Sequence, residues 1–206
     1  MASLLARLRA RLSRKPALVI VSGLPRSGTS MMMKMLEAGG LPPMTDQVRA
    51  ADEDNPRGYY EDERVKDLEK MQDKSWISEA RGKALKVISF LLKELPPGYR
   101  YKVIFMRRDL REILASQEVM LERRDELDKR EADEAEAVKI YERHLRKVDY
   151  LVRHNPDFDC LYVDYRAAID DPRAAAGRVA RFLGGRLDPA AMASAVDKSL
   201  YRQKRT

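Results

Sequence analysis

The stretch that most constrains this chain is Ala17 to Leu36. The apolar run Ala17-Leu18-Val19-Ile20-Val21 predicts a short buried strand, and Met31-Met32-Met33-Lys34-Met35-Leu36 predicts a helix. Between them lies Ser22-Gly23-Leu24-Pro25-Arg26-Ser27-Gly28-Thr29-Ser30. Strand, glycine loop and helix in succession make a cradle for an anion. The first backbone N–H groups of a helix have no partner within it and can turn toward negative charge.

The rest of the chain repeats the alternation. The first helix stops at Gly39-Gly40, and residues 41–60, with three prolines, several acids and a tyrosine pair, form an irregular segment long enough to be functional. A helix is expected over Glu61–Gln72, a strand over Lys83–Ile88 and one or two helical turns over Ser89–Leu95. Tyr101–Met106 is the clearest strand after the first, with Asp109 placed to cap the helix that starts at Leu110. The pattern is then helical and heavily charged to His154. Cys160–Val163 is the last strand, followed by a turn through Asp170-Asp171-Pro172, a helix over Arg173–Leu183 and a short helix from Pro189. The expected fold class is α/β in three layers: a small parallel sheet with helices on both faces, in one domain over residues 1–206. Ligands of such sheets sit at the carboxyl ends of the strands, where both the Gly23 loop and Arg107-Arg108 fall.

Composition narrows the classes. The formal charge is +7, which favours acidic ligands, but the basic residues are scattered rather than interleaved with aromatics, so no nucleic-acid partner is expected. No stretch approaches the roughly 20 apolar residues of a membrane span, so no stable membrane insertion is expected. One cysteine, Cys160, sits in an apolar run and reads as a small buried hydrophobe, which fits a reducing, cytoplasmic location. Residues 1–15 place Leu4, Leu5, Leu8 and Leu12 among arginines. This is a basic amphipathic helix rather than a signal peptide, expected to pack on the domain or on a partner subunit, with a membrane surface as the alternative. A homo-oligomer is compatible with it. The basic tail is 199–206.

The loop has the spacing of a Walker A motif, with Gly23 and Gly28 as its glycines and Ser30 as its final hydroxyl. Thr29 stands where that motif has lysine, and Arg26 supplies a cation three positions earlier. Phosphoryl transfer normally needs that lysine together with Mg²⁺. Asp109 is the one obvious metal acid, and its capping role explains it. A sulfuryl group carries less charge and can be transferred with arginine, hydroxyls and backbone amides alone, without metal.

Pro25-Arg26-Ser27-Gly28-Thr29-Ser30 resembles the 5′-phosphosulfate loop of sulfotransferases that use 3′-phosphoadenosine 5′-phosphosulfate (PAPS). A second mark of that family is a strand-ending arginine followed eight residues later by a serine, which together hold the donor's 3′-phosphate; Arg108 and Ser116 have this spacing. Weaker marks are Leu161-Tyr162-Val163-Asp164-Tyr165, Asp171-Pro172 and Arg181-Phe182-Leu183-Gly184. The resemblance implies a P-loop-like fold, PAPS as co-substrate, and a donor site of Pro25, Arg26, Ser27, Gly28, Thr29, Ser30, Arg108 and Ser116. The family often closes that site with C-terminal basic residues, which makes Arg202 a candidate. Arg26 would meet the charge growing on the bridging oxygen.

The family's cytosolic members carry a catalytic histidine in Lys-Thr-His. The matching stretch is Lys86-Val87-Ile88, and Ile88 takes no proton. His144 and His154 read as surface or capping residues. Glu61, ending the run Gly58-Tyr59-Tyr60-Glu61, is the candidate base, since related sequences use a glutamate there. Its other reading is that Glu61, Asp62 and Glu63 simply favour a helix N-terminus. Lys86 either faces the site or is a solvated strand-end lysine, Trp76 either stacks on adenine or fills the core, and the methionines after the loop are expected in the core. The leading reading is a sulfotransferase acting on a hydroxyl or amine acceptor of unknown class. The alternatives are a nucleotide kinase with a variant loop and a catalytically silent nucleotide-binding or interaction domain.

Overall fold

A computed structural model describes residues 16–46, 60–123 and 134–200, with the backbone alone at 121–123 and 200. The N-terminal segment 1–15, most of 41–60, much of the charged stretch 122–136 and the tail with Arg202 lie outside the described residues. Among the described residues four strands form one parallel sheet: β1 (Leu18–Gly23), β2 (Ala84–Lys86), β3 (Tyr101–Arg107) and β4 (Phe158–Asp164). Their order is β2-β1-β3-β4. The helices are α1 (Thr29–Ala38), α2 (Leu110–Arg123), α3 (Glu134–His154), α4 (Tyr165–Asp170), α5 (Pro172–Phe182) and α6 (Pro189–Ser194). None of them is long and apolar enough to cross a membrane.

The strands are apolar on both faces because both are covered. Val21, Ile104, Met106 and Val163 point to one face, where they meet Met32, Met33, Met35 and Leu36 of α1, the small residues Ala175, Ala176 and Ala180 of α5, and Met192 of α6. Leu18, Ile20, Leu85, Val103 and Phe105 point to the other, against Ile77, Leu92 and the α3 residues Val148 and Val152. Met32, Met33, Met35 and Leu36 are fully buried, each contributing about 1.5–3 kcal/mol of transfer free energy. Of the methionines after the loop, Met32, Met33 and Met35 are thus core as expected, and Met31 is partly buried against it. The result is the α/β, P-loop-like architecture read from the sequence.

The connections set the site. From β1 the chain adds β2 on one side, then crosses to β3 on the other, so the strand order switches between β1 and β3. A crevice opens at the carboxyl ends on either side of such a switch. The short edge strand β2 is covered: Met44 N–H donates to Ala84 O at 2.8 Å and Ala84 N–H to Pro42 O at 2.9 Å.

Two local expectations need correcting. The segment after Glu61 is a 3₁₀ turn over Glu63–Val65 followed by further turns, not a helix to Gln72. The buried Asp62 carboxylate accepts the Arg64 N–H at 3.1 Å and grips its guanidinium at 2.8 Å, which holds the chain in a side-chain-closed turn; Val65, Lys66 and Leu68 then bond three residues back. The stretch after β4 turns at once into α4, because Asp164 caps it through Ala167 N–H at 2.7 Å. Asp171 and Asp188 cap α5 and α6 in the same way, and Asp109 caps α2 as predicted.

Both histidines have structural surroundings. His154 Nδ1 lies 2.8 Å from Tyr150 O and its ring stacks on Tyr150. His144 Nε2 lies 2.9 Å from Oγ of buried Ser89, and its ring stacks on Phe90. Burial, helped by the charge of Lys147, lowers the His144 pKa from its ordinary 6.5. The unfolded chain then binds the proton more readily, so this contribution to stability is complete above 6.5 and is lost as pH falls through 6.5 toward the folded value. Urea midpoints measured from neutral pH into the acid range should fall less steeply for His144→Gln than for the parent. Equal slopes would locate the acid sensitivity elsewhere.

Candidate active site

The loop is shaped by three residues with positive φ. Gly23 ends β1 at φ 152°, and a Cβ there would lie 2.8 Å from Met106 O and 2.4 Å from Ser27 Oγ. The chain then turns through Leu24-Pro25-Arg26-Ser27, closed by Ser27 N–H to Leu24 O at 3.1 Å. Pro25 at the second position and a positive φ at the third are the pattern of a type II turn, whose third position favours glycine. Arg26 holds it instead, at φ 68°. Gly28, at φ 97°, is the N-cap of α1, and a Cβ on it would meet the Tyr165 ring at 2.3 Å. The first regular helical bond in α1 runs from Met32 N–H to Gly28 O, so the N–H groups of Thr29, Ser30 and Met31 precede the ladder. Ser27 Oγ is buried and has no hydrogen-bond partner among the described residues.

One flank of the loop is built by β3 and α2. Arg26 Nε donates to Ser116 Oγ at 3.0 Å, and Arg108 Nη1 donates to Arg26 O at 3.0 Å. Arg108 Nε donates to Glu112 at 3.0 Å, and its guanidinium lies 4.8 Å from the centre of the Tyr165 ring. Ser116 stands two turns along α2 from the β3 end, so the arginine after the strand and the helix serine each bond to Arg26 of the loop.

The other flank is built by β2 and the chain after the irregular segment. Lys86 Nζ donates to Ser30 Oγ at 3.3 Å and to Glu61 Oε1 at 3.2 Å. Its side chain is only 8% exposed, so the solvated alternative for Lys86 is set aside. Glu61 is anchored through its carbonyl, which accepts from Thr45 Oγ1 at 2.8 Å and from Asp46 N–H at 3.3 Å.

Of the residues singled out in the sequence, Arg26, Gly28, Ser30, Arg108, Ser116 and Glu61 thus surround one loop, with Pro25, Ser27 and Thr29 forming its turn and the helix start. Arg202 lies outside the described residues. Arg26, expected at the bridging oxygen, donates Nε to Ser116, and a further cation, Lys86, donates to the loop hydroxyl of Ser30. Glu112 was not singled out, though it carried a legible signal, four residues after Arg108 with opposite charge. Tyr165 was noted only as the end of the weaker mark over 161–165, with nothing there to place it against Gly28. Trp76 packs against the second core under the Arg64 guanidinium, 4.5 Å away. Burial pushes the Cys160 thiol up to about 12, which leaves it unreactive at neutral pH.

A family model described as a sulfotransferase domain matches residues 16–206. No curated protein matches the chain in sequence. Among solved structures, the sulfotransferase domain from the Synechococcus PCC 7002 olefin synthase is 17% identical with a TM-score of 0.58, covering 94% of this chain and 90% of that one. The sulfotransferase domain from the curacin biosynthetic pathway is 12% identical with a TM-score of 0.47, covering 91% of this chain and 90% of that one. At these identities the first likeness speaks for the fold alone, and the second carries no argument.

The contact of Gly28 with Tyr165 makes the loop sensitive to one methyl group. Gly28→Ala combines a left-handed alanine with an overlap on a buried ring and should cost about 2 kcal/mol or more in urea unfolding. Adding Tyr165→Ala should recover the steric part of that loss relative to Tyr165→Ala alone. An unchanged midpoint for Gly28→Ala would show that the ring moves aside freely.

Proposed function

The chain belongs to the sulfotransferase domain family, and from that premise we propose that it transfers a sulfuryl group from PAPS to a hydroxyl or amine acceptor. One observation carries the proposal: a single phosphate-type loop has two separate cationic flanks, Lys86 at Ser30 and Arg108 with Arg26 at Ser116. A nucleotide with charge at both its 5′ and 3′ positions matches this arrangement better than one with a single polyphosphate. The unpartnered, buried Ser27 Oγ and the N–H groups at the start of α1 add donors on the loop itself.

In this reading the loop from Pro25 to Ser30 holds the 5′ end and Arg108 with Ser116 holds the 3′-phosphate. The donor supplies a sulfuryl group already activated by its bond to phosphate. Glu61 takes the proton from the acceptor as the acceptor's oxygen or nitrogen bonds to sulfur and the sulfur–oxygen bond to phosphate breaks. Lys86 and the amides at the start of α1 meet the electron pair left on the phosphate oxygen. Lys86 also holds the Glu61 carboxylate at 3.2 Å, which fixes the base beside the reacting end of the loop.

Calorimetry should show tighter binding of adenosine 3′,5′-bisphosphate, with no metal added, than of ATP with Mg²⁺. The reverse preference would favour a kinase. Glu61→Gln should keep bisphosphate binding within a small factor and lower transfer by about 10²–10⁴. Near-parental transfer by that variant would remove Glu61 from the role of base.

A further inference from the structure

Glu112 takes no part in the chemistry above, yet it is a carboxylate 6% exposed, beside the subsite assigned to a phosphate. Its charge alone would oppose an anion there. What it contributes is direction. It accepts Arg108 Nε at 3.0 Å, and the guanidinium is a rigid planar fork, so fixing one N–H fixes the others. The next arm of that fork, Nη1, donates to the carbonyl of Arg26.

That carbonyl belongs to the residue held at φ 68°, in the left-handed region that a side chain disfavours. Arg26 in turn sends Nε to Ser116, one helical turn beyond Glu112 on α2. The bonds close a circuit: Glu112 to Arg108, Arg108 to the Arg26 backbone, the Arg26 side chain to Ser116, and back along the helix. Tyr165 braces it from below, against Gly28 on one side and under Arg108 on the other.

We propose that Glu112 is a positioning residue: by aiming the Arg108 fork it forms the 3′-phosphate subsite and the left-handed Arg26 turn together, so that the two ends of the donor are read as one unit. This inference rests on the donor reading given above. It separates geometry from charge, and two conservative variants distinguish them. Glu112→Gln keeps an acceptor oxygen at the same reach and removes the charge. Glu112→Asp keeps the charge and withdraws the oxygen by one methylene.

The experiment measures affinities for adenosine 3′,5′-bisphosphate and adenosine 5′-phosphate by calorimetry in the parent and both variants, with melting curves to establish that each is folded. The expected result is that Glu112→Asp lowers the preference for the bisphosphate by about tenfold and weakens the 5′-phosphate as well, while Glu112→Gln holds or raises the preference. Parental behaviour of Glu112→Asp overturns the inference. So does a loss in Glu112→Gln equal to that in Glu112→Asp, since the charge and not its placement would then matter. A parent that binds no bisphosphate overturns the donor reading and this inference with it. A parent that binds it normally beside an unaffected Glu112→Asp overturns the inference alone.

Discussion

A backbone that turns its N–H groups toward an anion is held in conformations that side chains resist. This loop meets that constraint three times within six residues, and in different ways. At Gly23 and Gly28 the side chain is absent, and neighbouring groups occupy the space: Met106 O against the first, the Tyr165 ring against the second. At Arg26 the side chain stays, and a neighbouring guanidinium holds the peptide. The left-handed turn is thus maintained by a residue that follows another strand. Because β1 and β3 pair from Leu18 to Gly23, Arg108 arrives beside the loop through sheet register.

The cations around the loop come from three elements. A Walker A loop carries its lysine in sequence with the glycines. Here Arg26 lies within the turn, Arg108 follows β3, and Lys86 ends β2 on the opposite side of β1. Charge borrowed from neighbouring strands is placed by the sheet, so it is as rigid as the core beneath it. Each arginine and the lysine is also tied to an oxygen of the protein, which fixes its direction before any ligand arrives.

Much of this was legible in the sequence where short-range geometry governs. The strand–loop–helix order, the caps at Asp109 and the Arg108–Ser116 spacing all follow from helical and strand periods. What escaped was decided by distant partners. The acidic run at Glu61 has the composition of a helix start, but Asp62 is buried on Arg64 and closes a turn instead, and the Glu61 carboxylate is held by Lys86 from another strand. Lys86 could be read either way, because burial of a strand-end lysine depends on what covers the edge. Tyr165 closes the weaker mark over 161–165, but nothing local shows that it fills a space near a glycine remote in sequence. Arg26 was read for its charge, and its unusual backbone conformation was invisible without the turn.

The ring on Gly28 has a bearing on how the protein is made. The loop follows β1, the first strand of the sheet in sequence, whereas Tyr165 follows β4, the last in sequence. The residues of the motif are therefore synthesised well before the wall that packs against them. A nascent chain halted ahead of β4 would carry every residue of the motif but lack the ring that packs against Gly28.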